Sequence, residues 1–223
     1  MQKPTRIVST KILTSHQKQV LADNNFEVAE ADFIKIDNKE FELKDINANL
    51  IFTSQNAAQS IINHPKSEEL KSKNVFCVGL KTKILLSESG FNVIAYTGYA
   101  SDLAEIITLI YSSESYTFFS GNLRKETLIT ALAAANIKLN EIQVYETSLT
   151  PQKIKTPVEC ILFFSPSGVE SYLSTNVIKK ETCFCIGETT AEALHKITKK
   201  IIIAQNPSVE DVIEDVIKYY KQE

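Results

Sequence analysis

The chain has 223 residues, of which 43% are hydrophobic, so it is long enough to build one large or two small domains around a buried core. Its 24 basic and 27 acidic side chains nearly cancel, which excludes a general electrostatic attraction to nucleic acid or to an anionic membrane. A polyanionic ligand would have to be held by local geometry. No stretch approaches the roughly 18 apolar residues of a spanning helix, and the first residues lack the apolar run of a secretion signal. We therefore expect a cytoplasmic protein with no membrane or nucleic-acid partner.

Cysteine, histidine and glycine are arranged in ways that argue against metal and nucleotide sites. The four cysteines lie in or beside apolar runs typical of buried strands, and none forms a Cys-x-x-Cys pair. The three histidines are scattered without an i, i+4 partner. The six glycines form neither a dinucleotide fingerprint nor a phosphate loop. We expect no metal and no cofactor, and interpret the cysteines as small core residues.

In chain order, short β-branched runs alternate with helical patterns, which indicates βαβ units and mainly parallel sheets. Two of the helical patterns are especially clear, at 101–113 and 208–220. Strands are predicted at 6–13, 27–31, 50–53, 74–78, 92–95, 116–119, 160–164, 183–186 and 200–203.

One pattern occurs twice: an apolar strand, a hydroxyl residue, a helix, and a second strand that ends at a glycine. The serine and the glycine are 25 positions apart in the first copy and 22 in the second. A hydroxyl at such a junction caps the helix and leaves other amides of its first turn free to hold an anion. Two related halves could thus bind one large polyanion. The equivalent pairs are Ser54 with Ser165, Gly79 with Gly187, and Thr82 with Thr190.

Two extended segments, 33–37 and 141–149, do not fit the pattern of helix-flanked strands. A pair of strands that cross between two α/β lobes would explain them. The stretch 148–157 carries two prolines and many polar residues, as expected at a lobe boundary.

Several phrases, considered in their order and spacing, resemble the uroporphyrinogen-III synthase family. The resemblance spans nearly the whole chain, although no single phrase is highly specific. The phrases are ILTS, IFTSQNAA, VGLKT, SGNLRKETLITAL, VYET, FFSPSGVESY and IGETTAEAL.

This resemblance implies a fold of two doubly wound parallel-sheet α/β lobes joined by a two-stranded β-ladder linker. Residues 1–35 with 149–223 would form a discontinuous first lobe, and 39–144 the second. The linker strands would be 33–38 and 141–149. The resemblance also implies a monomer.

The implied substrate is hydroxymethylbilane, a linear tetrapyrrole with eight carboxylates, bound in a cleft between the lobes. The implied enzyme is a cyclising lyase. Loss of the substrate's hydroxyl gives an azafulvene cation, the substituted carbon of ring D attacks it, and the spiro intermediate fragments and recloses as uroporphyrinogen III with ring D inverted. The protein's main task would be to position the chain, since positioning can supply ~7–11 kcal/mol of a barrier.

The resemblance implies one catalytic side chain, Tyr145, whose phenol could donate a proton to the departing hydroxyl; simple packing is the alternative. The implied substrate-binding residues could equally be plain helix caps, first-turn residues, turn glycines or, for the arginine, a solvated charge. They are Thr53, Ser54, Gly79, Thr82, Arg124, Ser165, Ser167, Gly168, Gly187, Thr189 and Thr190.

The chain departs from the family pattern at two places. After the first strand the family usually has Thr-Arg, whereas this chain has Thr14, Ser15 and His16. The loop Ser120-Gly121-Asn122 is a loose version of the family loop. A two-lobed binding or sensor protein without catalysis remains the alternative function.

Overall fold

The computed structural model describes residues 3–221, which divide into two compact units. The first unit comprises the described residues up to Lys35 and from Ser148 onward, and the second comprises Ile36–Thr147. Residues 1, 2, 222 and 223, which belong to the predicted first lobe, lie outside the described residues.

Strands and helices alternate along most of the chain. The strands are β1 (Thr5–Ser9), β2 (Phe26–Glu30), β3 (Ile34–Asn38), β4 (Asn49–Phe52), β5 (Asn74–Val78), β6 (Asn92–Thr97), β7 (Ser115–Gly121), β8 (Lys138–Leu149), β9 (Cys160–Phe163), β10 (Thr182–Cys185) and β11 (Ile201–Ile203). The helices are α1 (Ser15–Asp23), α2 (Gln55–Ile62), α3 (Leu80–Glu88), α4 (Ala100–Ile110), α5 (Thr127–Ala134), α6 (Pro166–Thr175), α7 (Glu188–Glu192) and α8 (Val209–Lys221), with a short 3₁₀ helix at Ser67–Leu70.

The first unit contains a five-stranded sheet in the order β11-β10-β9-β1-β2, with parallel pairing throughout. Every residue of β9 and β10 is buried, as expected for central parallel strands covered on both faces. One core cluster contains Phe33, Phe163 and Tyr172, while another contains Phe184 and the apolar face of α8. The alternating apolar runs of the sequence thus become a sheet between two layers of apolar side chains.

The second sheet has six strands in the order β3-β8-β7-β4-β5-β6, and it lies in the second unit except for the first two residues of β3 and the last two of β8. The pairs β8–β7, β7–β4, β4–β5 and β5–β6 are parallel. Phe52 and Phe119 stack in one core cluster with ring centroids 5.2 Å apart. Phe76 and Tyr116 pack edge to face at 5.3 Å in the other cluster. These aromatic pairs anchor the central strands from both sides.

Strand order reverses direction once in each sheet. In the second unit the chain runs from β4 through β5 to β6 on one side, and from β7 to β8 on the other. In the first unit it runs from β9 through β10 to β11 on one side, and from β1 to β2 on the other. Apart from β3, the two sheets therefore have the same spatial arrangement of strands, although the chain visits the two sides in the opposite order. The serine, glycine and threonine pairs of the sequence occupy equivalent places in this arrangement. Each sheet has a switch point, at β4/β7 and at β9/β1, where α/β proteins bind ligands.

The predicted α/β class with parallel sheets is confirmed, and each predicted strand is present. The first strand ends at Ser9 rather than at residue 13, because the chain turns there and the Ser9 hydroxyl donates to the Lys11 carbonyl. The segment 141–149 lies within one strand, β8, whose first part belongs to the parallel sheet. Strand β8 follows α5, starts at Lys138 and pairs in parallel with β7 as far as Tyr145. The linker ladder itself stays a prediction.

All four cysteines are buried free thiols. Burial raises the pKa of Cys77 to about 11 and those of Cys183 and Cys185 to about 12, so these thiols carry no charge at neutral pH. Within residues 3–221, no group of three or more histidine, cysteine, aspartate or glutamate side chains is placed to hold a metal ion. None of the described helices is both long enough and apolar enough to span a membrane.

Ser171 in α6 offers a test of the packing. Its side chain is fully buried, and its Oγ has no hydrogen-bond partner among the described residues. Replacing this hydroxyl with hydrogen removes an uncompensated desolvation cost, so Ser171→Ala should raise the free energy of unfolding by about 1 kcal/mol. Denaturant unfolding measures this change.

Ser60 in α2 is the matched control, because its buried hydroxyl bonds the Asn56 carbonyl at 2.9 Å and the Asn38 side chain at 3.2 Å. Ser60→Ala should therefore lower the free energy of unfolding by about 1 kcal/mol. Equal destabilisation by both substitutions would contradict the assignment of Ser171 as unpartnered.

Candidate functional site

The predicted residues of the second unit gather where its parallel strands end, an edge we call the carboxyl edge. Thr53 and Ser54 follow β4, and Gly79 follows β5. Gly121 ends β7, next to β4, and Tyr145 of β8 lies opposite it in the ladder. Since β4 and β7 flank the switch point, Ser54 and Tyr145 lie where the topology favours a ligand.

Ser54 makes two hydrogen bonds through one hydroxyl. Its Oγ accepts from the Ala57 amide at 3.1 Å and so caps α2. The same Oγ donates to Oη of Tyr145 at 3.1 Å. Ser54 and Tyr145, 91 positions apart in the sequence, are thus joined directly, and both side chains are half-buried. The structure brings together the predicted catalytic tyrosine and one predicted binding serine.

The aromatic ring of Tyr145 lies against the backbone of Gly121. A Cβ atom at residue 121 would fall 2.3 Å from Cζ and 2.7 Å from Oη of this tyrosine, which no real Cβ tolerates. Gly121 is therefore required by close approach, although sequence reasoning considered it only as part of a loose family loop. A strand that ends in glycine beside the switch point was the available signal.

Asn122 holds the strand that carries Tyr145. Its side chain accepts from the Thr147 amide at 2.8 Å and donates to the Thr147 carbonyl at 3.1 Å. Such a pair of bonds mimics one more step of the sheet ladder and continues β7 beyond its last residue. Sequence reasoning assigned Asn122 no role.

The turn before α3 has a different construction. Gly79 has a φ of +89°, a left-handed conformation that favours glycine, and its amide donates to the Thr97 carbonyl at 2.8 Å. Thr82 is buried in the first turn of α3, close to Gly79. Among the described residues, no hydrogen-bond partner is assigned to the amides of Leu80, Lys81 and Thr82. The first turn of α3 also lacks an acidic side chain, so this helix start is suited to an external anion.

Arg124 already binds two carboxylates of its own unit. Its Nε and Nη2 contact Glu141 at 2.7 and 3.1 Å, and its Nη1 pairs with Glu126. Burial of Glu141 acts to raise its pKa, but hydrogen bonds from Arg124 and from Ser120, at 2.6 Å, bring the net pKa below the ordinary value. A role for Arg124 in binding a substrate propionate stays a prediction, and it would require an exchange of carboxylates.

Ser165 occupies the switch point of the first unit, as Ser54 does in the second. It caps α6 by accepting from the Gly168 amide at 3.0 Å, and its Oγ lies 3.1 Å from Oγ of Ser167. A Cβ atom at Gly168 would lie 3.2 Å from Oγ of Ser165 and 3.6 Å from Oγ1 of Thr10, which follows β1. Ser165, Ser167 and Gly168 are thus brought together, with Thr10 as a neighbour that sequence reasoning missed.

Gly187 follows β10 and differs from Gly79 in its backbone conformation. Its φ of 179° is extended and permits any residue, and a Cβ there would have no atom within 4 Å. Neither backbone conformation nor internal packing requires glycine here. Thr190 is buried and Thr189 is half-buried in the short helix α7. The open space beside Gly187 agrees with a close approach by another molecule, and a binding role for these three residues stays a prediction.

In the loop after β1, backbone amides donate hydrogen bonds to carboxylates of the chain itself. The amides of Ile12 and Leu13 donate to the carboxylates of Asp32 at 3.0 Å and Glu30 at 2.8 Å. Thr14 caps α1 in a capping box with Gln17. The departure from the family pattern begins at Thr14, and carboxylates at the end of β2 and just after it occupy the two amides that precede this residue.

Comparison with known proteins shows the family. The chain matches the family model described as uroporphyrinogen-III synthase HemD over residues 15–214. It belongs to the uroporphyrinogen-III synthase family. The resemblance inferred from the sequence phrases is thereby confirmed.

One curated member of the family is distant in sequence from this chain. The "Porphyrin biosynthesis protein HemD" of Ruminiclostridium josui is 22% identical over 189 residues, which cover 76% of this chain and 37% of that protein. The chain thus spans little more than a third of that curated relative.

Solved structures of the family share the fold. The uroporphyrinogen-III synthetase of Helicobacter pylori is 22% identical, with coverage of 96% of this chain and 99% of that one and a TM-score of 0.71. A mutant uroporphyrinogen-III synthase of the extremely thermophilic bacterium Thermus thermophilus is 13% identical, with coverage of 98% and 99% and a TM-score of 0.76.

The Gly121 contact predicts a selective effect of Gly121→Ala. The added methyl group must displace the tip of the Tyr145 side chain, which can swing, so the free energy of unfolding should fall by only about 1 kcal/mol. A crystal structure of the variant should show Tyr145 Oη beyond hydrogen-bond reach of Ser54. Gly98→Ala is the control, since a Cβ at Gly98 meets nothing within 4 Å. An unmoved phenol in Gly121→Ala would refute the contact.

The Arg124–Glu141 pair predicts a pH dependence of stability. Because the pKa of Glu141 is lowered in the folded state, its contribution is present above its ordinary value of 4.5 and lost as pH falls through the folded value. Glu141→Gln should therefore destabilise the chain by about 1 kcal/mol at pH 7 and by less at pH 3. Urea unfolding at both pH values measures the difference, which a pH-independent result would contradict.

Proposed function

We propose that this chain catalyses the cyclisation of hydroxymethylbilane to uroporphyrinogen III, with inversion of ring D. One observation carries the proposal: in a member of this family, the phenol of Tyr145 lies at a sheet switch point, beside helix starts that lack their own anions. The chemistry needs a proton donor at one reacting oxygen and a rigid hold on a flexible polyanion. The carboxyl edges supply groups of both kinds.

Carboxylate binding is supported by free amides in the first turns of the helices. Besides the three amides at the start of α3, those of Gln55, Asn56, Ser167 and Thr189 have no hydrogen-bond partner assigned among the described residues. In the described part of the chain, α2, α3 and α6 have no acidic residue in their first turns, whereas α4, α7 and α8 have their own. An external carboxylate at the start of α2, α3 or α6 would complete the helix electrostatics rather than compete with an internal acid.

Tyr145 supplies the proton in this proposal. The bond between the hydroxymethyl carbon and its oxygen breaks as that oxygen takes the phenol proton and leaves as water. The resulting azafulvene cation is attacked by the substituted carbon of ring D, and the spiro intermediate opens and recloses at the free carbon. The proton lost from ring D in the last step restores the phenol, so no external acid is consumed.

Positioning contributes more than proton donation. Hydroxymethylbilane closes unaided to the type I isomer, so the enzyme must hold the substituted carbon of ring D nearer to the cation than the free carbon. Oriented reactants can lower a barrier by ~7–11 kcal/mol. The proposed contacts are the hydroxyls and amides of Thr53 in the second unit, those of Ser165 and Thr189 in the first, and the helix starts within each unit. Loss of any one contact should therefore reduce the type III fraction of the product without abolishing reaction.

The proposal is tested with freshly prepared hydroxymethylbilane, oxidation of the products and separation of the isomers. The wild-type chain should form the type III isomer, and Tyr145→Phe should lower kcat by about 100-fold with an unchanged thermal midpoint. Tyr96→Phe is a control, because this tyrosine lies exposed on β6. Formation of type I alone at the spontaneous rate would overturn the proposal. Binding of the linear tetrapyrrole without turnover would instead indicate a binding or sensor protein.

We further propose that the chain works as a cytoplasmic monomer, with neither nucleic acid nor membrane as a partner. Four buried thiols without disulfides agree with a reducing compartment. The near balance of 24 basic and 27 acidic side chains offers no general attraction to polyanionic surfaces. Light scattering during gel filtration tests the oligomeric state, for which a mass of 25.0 kDa is expected.

A further inference from the structure

Ser54 and Ser165 occupy equivalent places in the two sheets, but their hydroxyls are used differently. Each caps the following helix by accepting from the amide of the third helical residue. The remaining contact of Ser165 is with Ser167, at 3.1 Å, whereas Ser54 donates its only proton to Oη of Tyr145. This asymmetry singles out Ser54, since a hydroxyl whose proton is already donated cannot also donate to a substrate carboxylate.

We propose that Ser54 is a positioning residue that directs the phenol proton of Tyr145 toward the reacting group. This inference rests on the function proposed above. A phenol O–H lies in the plane of its ring and has two favoured orientations. When a donor occupies the lone pair on one side, the phenol proton takes the other side. Ser54 thus removes one of the two orientations and leaves the tyrosine as a donor.

The other contacts of Tyr145 make this control effective. Gly121 lies against the ring, and Asn122 holds the backbone of β8 at Thr147. While the ring stays packed against Gly121 and the strand is held at Thr147, rotation about the Cζ–Oη bond sets the direction of the phenol proton. Ser54 acts on that rotation. A hydrogen bond accepted by Oη also withdraws electron density from the O–H bond, which favours proton transfer to the departing hydroxyl.

The hydrogen bond can be tested without catalysis by labelling the eight tyrosines with ¹³C at Cζ. The Tyr145 resonance is identified by its loss in Tyr145→Phe. Ser54→Ala should move that resonance by more than its linewidth, Ser54→Thr should largely restore it, and Ser165→Ala should leave it in place. Both alanine variants lose one helix cap, so a general effect of lost stability would be common to them. An unmoved resonance in Ser54→Ala would overturn the proposal.

Kinetics provide the second test. Ser54→Ala should lower kcat about tenfold with KM changed by less than twofold, and Ser54→Thr should recover most of the loss. In the Tyr145→Phe background, Ser54→Ala should cause no further loss. A rise in KM at unchanged kcat, or full additivity with Tyr145→Phe, would show instead that Ser54 acts on substrate independently. If the wild-type chain forms no type III isomer, the proposed function fails, while the resonance test still decides the hydrogen bond.

Discussion

Parallel pairing of the central strands is the constraint on which the candidate site depends. Parallel strands end at a common edge, so each sheet collects its strand-to-helix junctions in one place. One reversal of strand order per sheet then separates two neighbouring junctions enough to admit a ligand. Ser54 and Tyr145 lie at that reversal in the second unit, and Ser165 with Thr10 at the equivalent point in the first.

The electrostatics of the two carboxyl edges depend on where acidic side chains are present and where they are absent. Helices that start beside the switch points lack acidic first-turn residues, while the loop after β1 is closed by Glu30 and Asp32. Some backbone amides are therefore occupied by the protein's own carboxylates, while the helix starts beside the switch points have no internal carboxylate among the described residues. The positive charge of Arg124 is likewise neutralised within the protein, by Glu141 and Glu126. A nearly balanced net charge is thus compatible with helix starts that have no carboxylate of their own.

Much of this arrangement was predictable from the sequence, because its signals are local. Apolar β-branched runs predicted the strands, and serines before helices predicted the caps at Ser54 and Ser165. The contact between Tyr145 and Gly121 was not predictable, since it depends on the register of β7 against β8. The Arg124–Glu141 pair and the captured loop amides join residues 17 or more positions apart. Hydrogen-bond partners at such separations leave no periodic trace in one sequence.

The split of the first unit along the chain bears on how the protein is made. Strand β1 pairs with β9, so Ile7 has no pairing partner on that side until Cys160 has been synthesised. The second unit, in contrast, comprises the continuous stretch Ile36–Thr147. On the ribosome, the inserted unit can complete its sheet while β1 and β2 still lack a partner strand on one side. Nascent chains would then expose the apolar residues of β1 until β9 has been made, a period in which chaperones commonly shield such segments.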